Sequence, residues 1–255
     1  MLPKFLKPYH VKLSNLIRIG PKTDGGYVID KRVLNKTKIL ITCGLNDDWE
    51  FEKSFLEQKP AIKIITFDHT VNQDFWVKRF KKDIIHFLLL KKLRISKILD
   101  IFKFINYYLF FRENRKHYIK KVVFKKKNNE EITIPKILKN YDKVFLKVDI
   151  EGSEYVILED ILKVQNKISA LIIEFHDIDK NRAIIENFIQ RLELSLTHIH
   201  PNNYGKLDEN NDPIIIELSF EKYPKIIDGE VELPNILDQK NNPKKNDIFI
   251  KFNEN

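Results

Sequence analysis

A single cysteine, Cys43, occurs in the 255 residues of this sequence. One cysteine excludes an internal disulfide framework and a zinc site built from several thiolates, and it is typical of a reducing compartment. Two glycine-rich phosphate-binding signatures, G-x-G-x-x-G and G-x-x-x-x-G-K-[ST], are also absent. Because those loops hold the phosphates of dinucleotides and nucleoside triphosphates, a smaller nucleoside cofactor is expected in their place.

Long apolar runs are missing as well. The longest uncharged stretch between Asp83 and Lys127 is Phe104–Phe111, far short of the ~20 residues that a membrane-spanning helix needs. The segment from Met1 to Gly20 has scattered basic residues and no uninterrupted apolar core, so it does not resemble a secretory signal. The sequence therefore predicts a cytoplasmic protein without a transmembrane segment.

Positive charge exceeds negative charge, because 45 lysines and arginines against 36 aspartates and glutamates give a net charge of +9 at pH 7. The lysines are spread along the chain among many isoleucines and asparagines, which indicates a compositional bias. A diffuse basic surface is weak evidence for nucleic-acid binding when no zinc finger, RNP motif or helix-turn-helix signature accompanies it. We therefore predict no nucleic-acid partner.

Short apolar runs alternate with segments long enough for helices, which is typical of parallel βαβ units. Two later runs are separated only by a turn-rich segment, and they predict a final antiparallel pair. A further short strand is predicted in a tail rich in proline, asparagine and lysine. The parallel strands are predicted at Lys38–Cys43, Ile62–Phe67, Val144–Ile150 and Ala170–Phe175, the pair at Ser195–Ile199 and Ile214–Phe220, and the tail strand at Asp247–Phe252.

Three carboxylates stand close together in "FLKVDIEGSEY", residues 145–155, directly after a strand-like run. In open α/β sheets, ligands bind outside the carboxyl ends of the strands, so Asp149 and Glu151 lie where chemistry is expected. Acids are also favoured at helix N-termini, and capping of the following helix by Glu151 and Ser153 explains the same pattern. The spacing leaves both interpretations open.

A glycine, Gly44, follows the first predicted parallel strand in "ITCGLNDDWEFE". A glycine at this place lets a ligand approach backbone N–H groups without a side chain in the way. Asp68 ends the next strand, in "IKIITFD", where nucleotide-binding sheets place an acid against ribose hydroxyls. The two positions together predict a nucleoside site.

These motifs resemble those of the FkbM-like methyltransferases, class I enzymes that use S-adenosylmethionine. "FLKVDIEGSEYVIL" is similar to the family signature and "CGLNDDWEFE" to its cofactor turn, although Cys43 and Asn46 depart from the commoner acidic-x-Gly-x-Gly form. The resemblance also covers "LIRIGPKTDGGYVI", "LTHIHPNNYG" and "PIIIELSF", so it spans Leu16 to Phe220 with 83–127 and the tail unmatched. It implies a class I methyltransferase (Rossmann-like) fold, with a mostly parallel sheet, helices on both faces, an antiparallel last strand and a helical insertion.

The resemblance implies S-adenosylmethionine as the cofactor. Asp68 is expected to hydrogen-bond the adenosine ribose, while the glycine turn and the "DGGY" segment approach the methionine part. The implied cofactor-binding residues are Asp24, Gly25, Gly26, Tyr27, Cys43, Gly44, Leu45, Asn46 and Asp68.

Methyl transfer to oxygen needs a group that takes the hydroxyl proton, and candidates converge at the strand ends. In one scheme His176 is the general base, and Asp149 or Glu151 orients it or the acceptor. In the other scheme Asp149, Glu174 and His176 hold Mg²⁺ or Mn²⁺, which lowers the pKa of the acceptor hydroxyl. The residues alone do not decide between the two schemes.

Three polar residues in "THIHPNN" are candidates for binding the acceptor: His198, His200 and Asn202. Alternate residues of a strand point to the same face, so both histidines either line a pocket or lie under a loop. An asparagine after a proline is also explained by a turn.

The resemblance implies an O-methyltransferase that acts on a small carbohydrate acceptor, a sugar nucleotide or a surface-glycan precursor. The alternative is a non-catalytic protein that retains the nucleoside pocket and docks on a membrane or a partner through a basic aromatic insertion. Assays of cofactor binding and of turnover distinguish the two.

The length suits one domain over residues 1–255, with a helical insertion at 83–127 and an irregular tail from residue 221. The insertion mixes aromatic and basic residues, which indicates an interfacial helix, a lid over the acceptor or a helical pair packed on the core. We expect it to lie outside the central sheet, where it covers the acceptor side of the pocket or forms a contact within a homo-oligomer.

Overall fold

The computed structural model describes residues 1–89 and 102–253 of the chain. The strands are β1 (Leu16–Ile19), β2 (Tyr27–Asp30), β3 (Ile39–Cys43), β4 (Lys63–Phe67), β5 (Arg115–Tyr118), β6 (Lys121–Val122), β7 (Glu131–Ile132), β8 (Val144–Val148), β9 (Ile168–Phe175), β10 (Ser195–Pro201) and β11 (Ile216–Glu221). The α-helices of the described residues are α1 (Arg32–Lys36), α2 (Glu50–Gln58), α3 (Gln73–Leu89), α4 (Lys103–Phe110), α5 (Ile134–Leu138), α6 (Leu158–Val164) and α7 (Ile178–Arg191).

Seven strands form the central sheet, in the order β10-β11-β9-β8-β3-β4-β5. Strands β9, β8, β3, β4 and β5 are parallel, and β11 runs antiparallel to both of its neighbours. This order, with its antiparallel last strand, is the class I methyltransferase fold that the sequence predicts. The chain leaves β3 toward β4 on one side and returns to β8 on the other, which makes the β3/β8 border the switch point where ligands bind.

The inner strands consist of apolar residues because both faces of the sheet are covered. On β3, the alternate residues Ile39 and Ile41 belong to one hydrophobic cluster, together with residues of α5, α6 and α7. Leu40 belongs to a second cluster with residues of α1 and α2, and Phe145 of β8 joins it there. Helices therefore cover both faces, as predicted.

The predicted parallel strands and the final antiparallel pair are confirmed, with shifts of a few residues at their ends. One of these shifts lies at the site: β8 ends at Val148, whereas the sequence predicts a strand that continues to Ile150. The chain turns here, because Glu151 and Gly152 both have positive φ angles, of 53° and 88°. A chain in this conformation cannot continue a strand.

Part of the segment at 83–127 joins the central sheet, which corrects the expectation that it lies outside. Residues Arg115–Tyr118 form β5, an edge strand parallel to β4. The prediction is wrong for these residues because the sequence RKHY has no apolar run, and an edge strand needs none when one side faces solvent. The segment also contains α4 and the end of α3, while its residues 90–101 lie outside the described residues.

The tail after β11 forms no helix or strand among the described residues up to 253. The short strand predicted at Asp247–Phe252 is absent, and only Phe252 forms an isolated bridge, to Leu2. The tail instead packs across β10 and β11 through buried polar side chains. One of these, Asn241, is fully buried and donates hydrogen bonds to Asp24 and Glu217.

Candidate active site

A cavity of about 690 Å³ lies at the carboxyl ends of β3, β4 and β8. This volume is within the ~300–1,000 Å³ range of sites for small molecules and cofactors. The lining includes residues of the glycine turn, the ends of β4 and β8, the "DGGY" segment and the chain after β5. These are Pro21, Asp24, Gly25, Gly44, Leu45, Asn46, Asp47, Asp48, Phe51, Glu52, Phe67, Asp68, His69, Thr70, Lys120, Lys121, Val122, Lys147, Asp149, Ile150, Glu151 and Ser153.

The glycine turn packs directly against the end of β8. Gly44 has a φ of +94°, and a Cβ at this position would lie 1.7 Å from the carbonyl oxygen of Asp149. The backbone N–H of Asp149 donates to the carbonyl of Cys43, at 2.9 Å. Only glycine fits this contact, so the residue brings two parts of the cavity wall together.

Asp68 holds the glycine turn in place. Its Oδ2 accepts hydrogen bonds from the backbone N–H groups of Leu45 and Asn46, at 2.8 and 2.9 Å. Its Oδ1 accepts from the N–H and hydroxyl of Thr70, at 2.7 and 2.6 Å. Burial alone would raise the pKa of Asp68, but these hydrogen bonds outweigh it and lower the pKa. The carboxylate therefore stays charged and fixes the shape of the turn.

We expect Asp68→Ala to weaken S-adenosylmethionine binding by roughly 1.5–3 kcal/mol, because the N–H groups of Leu45 and Asn46 lose their acceptor. Isothermal titration calorimetry measures the change. The exposed Asp228→Ala is the control and should bind like the wild type. An unaltered affinity in a folded Asp68→Ala protein would remove Asp68 from the cofactor site.

Asp149 is held by a buried cation. Lys147 Nζ lies 3.3 Å from Asp149 Oδ2, and the Tyr27 hydroxyl donates to the same oxygen at 3.4 Å. Burial alone would lower the pKa of Lys147, but Asp149, Glu52 and Glu174 outweigh it and raise the pKa. Lys147 is thus a permanent positive charge, which keeps the Asp149 carboxylate oriented at the cavity wall.

His176 follows β9 and is held by two neighbouring residues of the segment after β8, Glu154 and Tyr155. Its Nδ1 lies 3.2 Å from Oε1 of the fully buried Glu154. The hydroxyl of Tyr155 donates to the backbone carbonyl of His176. Its Nε2 points toward the cavity wall, 3.5 Å from Glu151 Oε2. His176 therefore borders the cavity behind Glu151, with a side chain that is 16% exposed.

Helix capping by Glu151 and Ser153 is not observed. Ser153 makes no side-chain hydrogen bond to the 3₁₀-helix Glu154–Ile157, and the side chain of Glu151 is 83% exposed. Glu154 takes the structural role instead, because its Oε1 accepts from the N–H groups of Ile150 and Gly152, both at 3.1 Å. The buried carboxylate of Glu154 thereby joins the turn to His176.

One group of metal-ligand type occurs among residues 1–89 and 102–253. Asp149, Glu151 and His176 each offer one ligand atom, and these atoms lie within 4.8 Å of one another. Glu174, a predicted ligand, is not in the group: its Oε1 lies 4.0 Å from His176 Nε2 and accepts a hydrogen bond from Asn202 at 2.8 Å. Burial and the neighbouring Asp149 raise the pKa of Glu174 well above its usual value, which makes it a poor anionic ligand.

Most of the predicted cofactor residues line the cavity, and three do not. Asp24, Gly25, Gly44, Leu45, Asn46 and Asp68 belong to the lining. Gly26, Tyr27 and Cys43 lie behind it, and Tyr27 acts through its hydrogen bond to Asp149. Burial raises the pKa of the Cys43 thiol to about 12, so it is not a nucleophile.

The predicted acceptor residues lie under the tail and not in the cavity lining. His198 Nε2 is 3.0 Å from Asp238 Oδ1, and His200 lies between Glu217 and Asp247. Asn202 donates to Asp24 and Glu174, at 3.1 and 2.8 Å. All three side chains have partners within the protein, so their placement does not support the predicted contact with an acceptor.

Residues 100–228 match the family model described as the methyltransferase FkbM domain, and the match covers just over half of the chain. The chain belongs to the FkbM methyltransferase family. It is an enzyme whose cofactor is S-adenosylmethionine, which sets aside the alternative of a non-catalytic binding protein. The match begins within the segment 83–127 that the resemblance left out, and it includes Asp149, Glu151 and His176.

Solved methyltransferases are similar only at low identity. The precorrin-6y C5,15-methyltransferase of Geobacter metallireducens is 10% identical, over 75% of this chain and 86% of that chain, with a TM-score of 0.33. The 16S rRNA (adenine(1408)-N(1))-methyltransferase of Catenulisporales acidiphilia is 9% identical, over 82% of this chain and 100% of that chain, with a TM-score of 0.32. At these scores nothing of their substrates transfers to this chain. A comparison with curated proteins found no match.

Proposed function

We propose that this FkbM methyltransferase methylates a hydroxyl group of a carbohydrate, a sugar nucleotide or a surface-glycan precursor, and that His176 takes the hydroxyl proton. The observation that carries this proposal is the position of His176. Its Nδ1 faces the buried Glu154 at 3.2 Å, while its Nε2 faces the cavity side, beside Glu151. A buried carboxylate that holds one ring nitrogen, with the other nitrogen on the cavity side, is an arrangement that suits a general base.

The charge on His176 suits this role. Burial alone would lower its pKa, but the hydrogen bond and charge of Glu154, with Asp149 and Glu151, outweigh burial and raise the pKa. A neutral hydroxyl is a poor nucleophile, so a nearby base of raised pKa favours the transfer of its proton. When bound, S-adenosylmethionine supplies the electrophilic methyl group. Glu154 stabilises the imidazolium that forms, and Asp149 and Glu151 orient the acceptor.

The charges of the cavity wall favour a polyhydroxylated sugar over the repeated phosphates of a nucleic acid. The lining contains more carboxylates than ammonium groups, and carboxylates accept hydrogen bonds from sugar hydroxyls but repel a polyanionic backbone. The carboxylates are those of Asp24, Asp47, Asp48, Glu52, Asp68, Asp149 and Glu151, against Lys120, Lys121 and Lys147. The same carboxylates suit the cationic sulfonium of the cofactor.

A divalent cation is the competing scheme at the same place. Two carboxylates and one imidazole are a ligand set for Mg²⁺ or Mn²⁺, and Asp149, Glu151 and His176 fit it in number and spacing. A cation held there would lower the pKa of a bound hydroxyl. His176 would then be a ligand, and could not accept the proton through the same nitrogen.

Chelation distinguishes the two schemes. If His176 is the base, we expect the purified enzyme to retain its methyl-transfer rate after EDTA treatment and dialysis. The measurement is transfer of labelled methyl groups with and without added Mg²⁺ or Mn²⁺. Loss of activity in EDTA that Mn²⁺ or Mg²⁺ restores would contradict the base scheme and assign Asp149, Glu151 and His176 as ligands.

The acceptor class is tested with labelled S-adenosylmethionine and a panel of sugar nucleotides, isolated glycan precursors and RNA. We expect label in an alkali-stable ether of a sugar. Glu151→Gln should reduce this transfer about 100-fold with little change in cofactor affinity, whereas the exposed Glu57→Gln should not. Transfer to RNA alone, or an unchanged rate in both Glu151→Gln and Asp149→Asn, would overturn the proposal.

A further inference from the structure

Helices α3 and α4 carry an outward face of large apolar side chains. The helices contact each other through Trp76 and Tyr107, whose ring centroids are 4.9 Å apart, and both residues are buried against Trp49. The opposite sides remain open to solvent. The apolar residues there are between 39% and 53% exposed, and we call them the α3/α4 face: Val77, Phe80, Ile85, Phe102, Phe104, Ile105, Tyr108 and Leu109.

An exposed face of this composition requires a covering surface. In α4, KFINYYLF, Lys103 is the only charged residue and Asn106 the only amide, so the helix is apolar on nearly every side. Helices that are apolar all round are normally buried on every side. Among described residues, however, no helix is both long enough and apolar enough to cross a membrane. The face is therefore suited to contact with a surface and not to insertion across one.

Acidic and basic residues near the face differ in position: two of the acids are paired on the inner side, whereas most of the cations are exposed to solvent. Asp47 and Asp83 point inward, where Arg79 pairs with both of them. Five exposed cations remain, against the exposed acids Asp74 and Glu113. These cations make no ion pair with any described residue: Lys78, Lys81, Lys82, Arg112 and Lys116.

We propose that the α3/α4 face binds an anionic lipid surface. Aromatic and aliphatic side chains enter the boundary between headgroups and acyl chains, and the adjacent lysines meet the lipid phosphates. A second copy of the chain is a poorer occupant, because a symmetric dimer through this face would bring Lys78, Lys81 and Lys82 against their own equivalents. Charge complementarity thus favours the anionic membrane.

The face is also connected to the cofactor cavity. The hydroxyl of Tyr107 hydrogen-bonds His117 Nδ1, and His117 Nε2 lies 3.0 Å from the backbone carbonyl oxygen of Asp68. The chain after β5 then supplies Lys120 and Lys121 to the cavity lining. Binding of lipid at the α3/α4 face therefore brings the wall of the cavity close to the membrane. This inference does not depend on the proposed carbohydrate acceptor.

The test is sedimentation of the full chain with vesicles of phosphatidylcholine alone or of phosphatidylcholine mixed with phosphatidylglycerol. We expect binding to the mixed vesicles that weakens as salt rises. Each lysine near an anionic surface contributes a factor of about five, so Lys78→Gln/Lys81→Gln/Lys82→Gln should lower binding by about 100-fold. The matched control, Lys225→Gln/Lys240→Gln/Lys244→Gln, has the same net charge and should bind like the wild type.

A second variant tests the apolar part of the face. Ile105→Ser/Leu109→Ser should lower vesicle binding by about tenfold, because each change removes an apolar side chain from the lipid boundary. Retained S-adenosylmethionine binding shows that the variants are folded. The proposal would be overturned if the wild type did not bind mixed vesicles, or if the wild type and both variants bound them with equal affinity. A dimer seen in ultracentrifugation and abolished by Ile105→Ser/Leu109→Ser would also overturn it.

Discussion

Replacement of His176 by alanine is expected to lower kcat about 100-fold or more while S-adenosylmethionine binds with nearly unchanged affinity. The imidazole lies beside the cavity wall and is not among the residues that line the cavity, so its loss should affect proton transfer and not cofactor binding. Methyl transfer and calorimetry measure the two quantities. His10→Ala, which changes a histidine far from the cavity, is the control.

The pH dependence of kcat tests the same role of His176. Activity through a neutral imidazole rises with pH as His176 loses its proton, and the raised pKa of His176 moves this rise to a higher pH than an ordinary histidine would give. Glu154→Gln removes the hydrogen bond and charge that contribute most to raising that pKa. The rise in kcat should therefore move to lower pH and the plateau should fall. A profile that does not move in a folded Glu154→Gln enzyme would contradict the pairing of Glu154 with His176.

The second large effect is expected from Gly44→Ala. The added methyl group would lie 1.7 Å from the carbonyl oxygen of Asp149, so the glycine turn and the end of β8 must separate. Displacements of about 1 Å at a reacting centre cost about 100-fold in rate. We expect kcat/KM for S-adenosylmethionine to fall by at least that factor, with weakened cofactor binding in calorimetry.

Gly152→Ala separates the clash from backbone strain. Gly152 also has a positive φ, of +88°, but a Cβ there meets no atom within 4 Å. Its replacement should cost about 1–2 kcal/mol of stability from the left-handed conformation alone. A comparable loss of cofactor binding in both variants would show that strain, and not contact with Asp149, is responsible. Circular dichroism confirms that each variant is folded.

Several features of the fold and the site could be predicted from local sequence. The runs ILITC and VFLKV consist of residues that suit strands buried on both faces, and they form the adjacent central strands β3 and β8. Gly44 and Asp68 could be located because each ends a strand of the parallel sheet, and such ends meet at one edge. The positions of Asp149 and Glu151 near the cavity follow from the sequence for the same reason.

Other features depend on residues that are distant in sequence. The pairing of Glu154 and His176 joins residues from the ends of β8 and β9, and neither residue type signals the other by spacing. His198 and His200 have a strand pattern that fits a pocket equally well. Only the path of the tail over β10, where Asp238 and Asp247 reach them, shows that they are buried against carboxylates of the protein itself.

The sequence by itself determined the inner strands of the sheet, the glycine turn and the acidic strand end, because these follow from runs of apolar residues and from residues next to each other in the chain. The tertiary structure alone decided that RKHY forms the sheet edge, where pairing with β4 supplies hydrogen bonds that a polar segment cannot signal. It also decided which nitrogen of His176 faces Glu154 and which faces the cavity side. The orientation of the imidazole arises from packing between the loops that follow β8 and β9. The two loops are distant in sequence, so no local pattern of residues predicts that they meet.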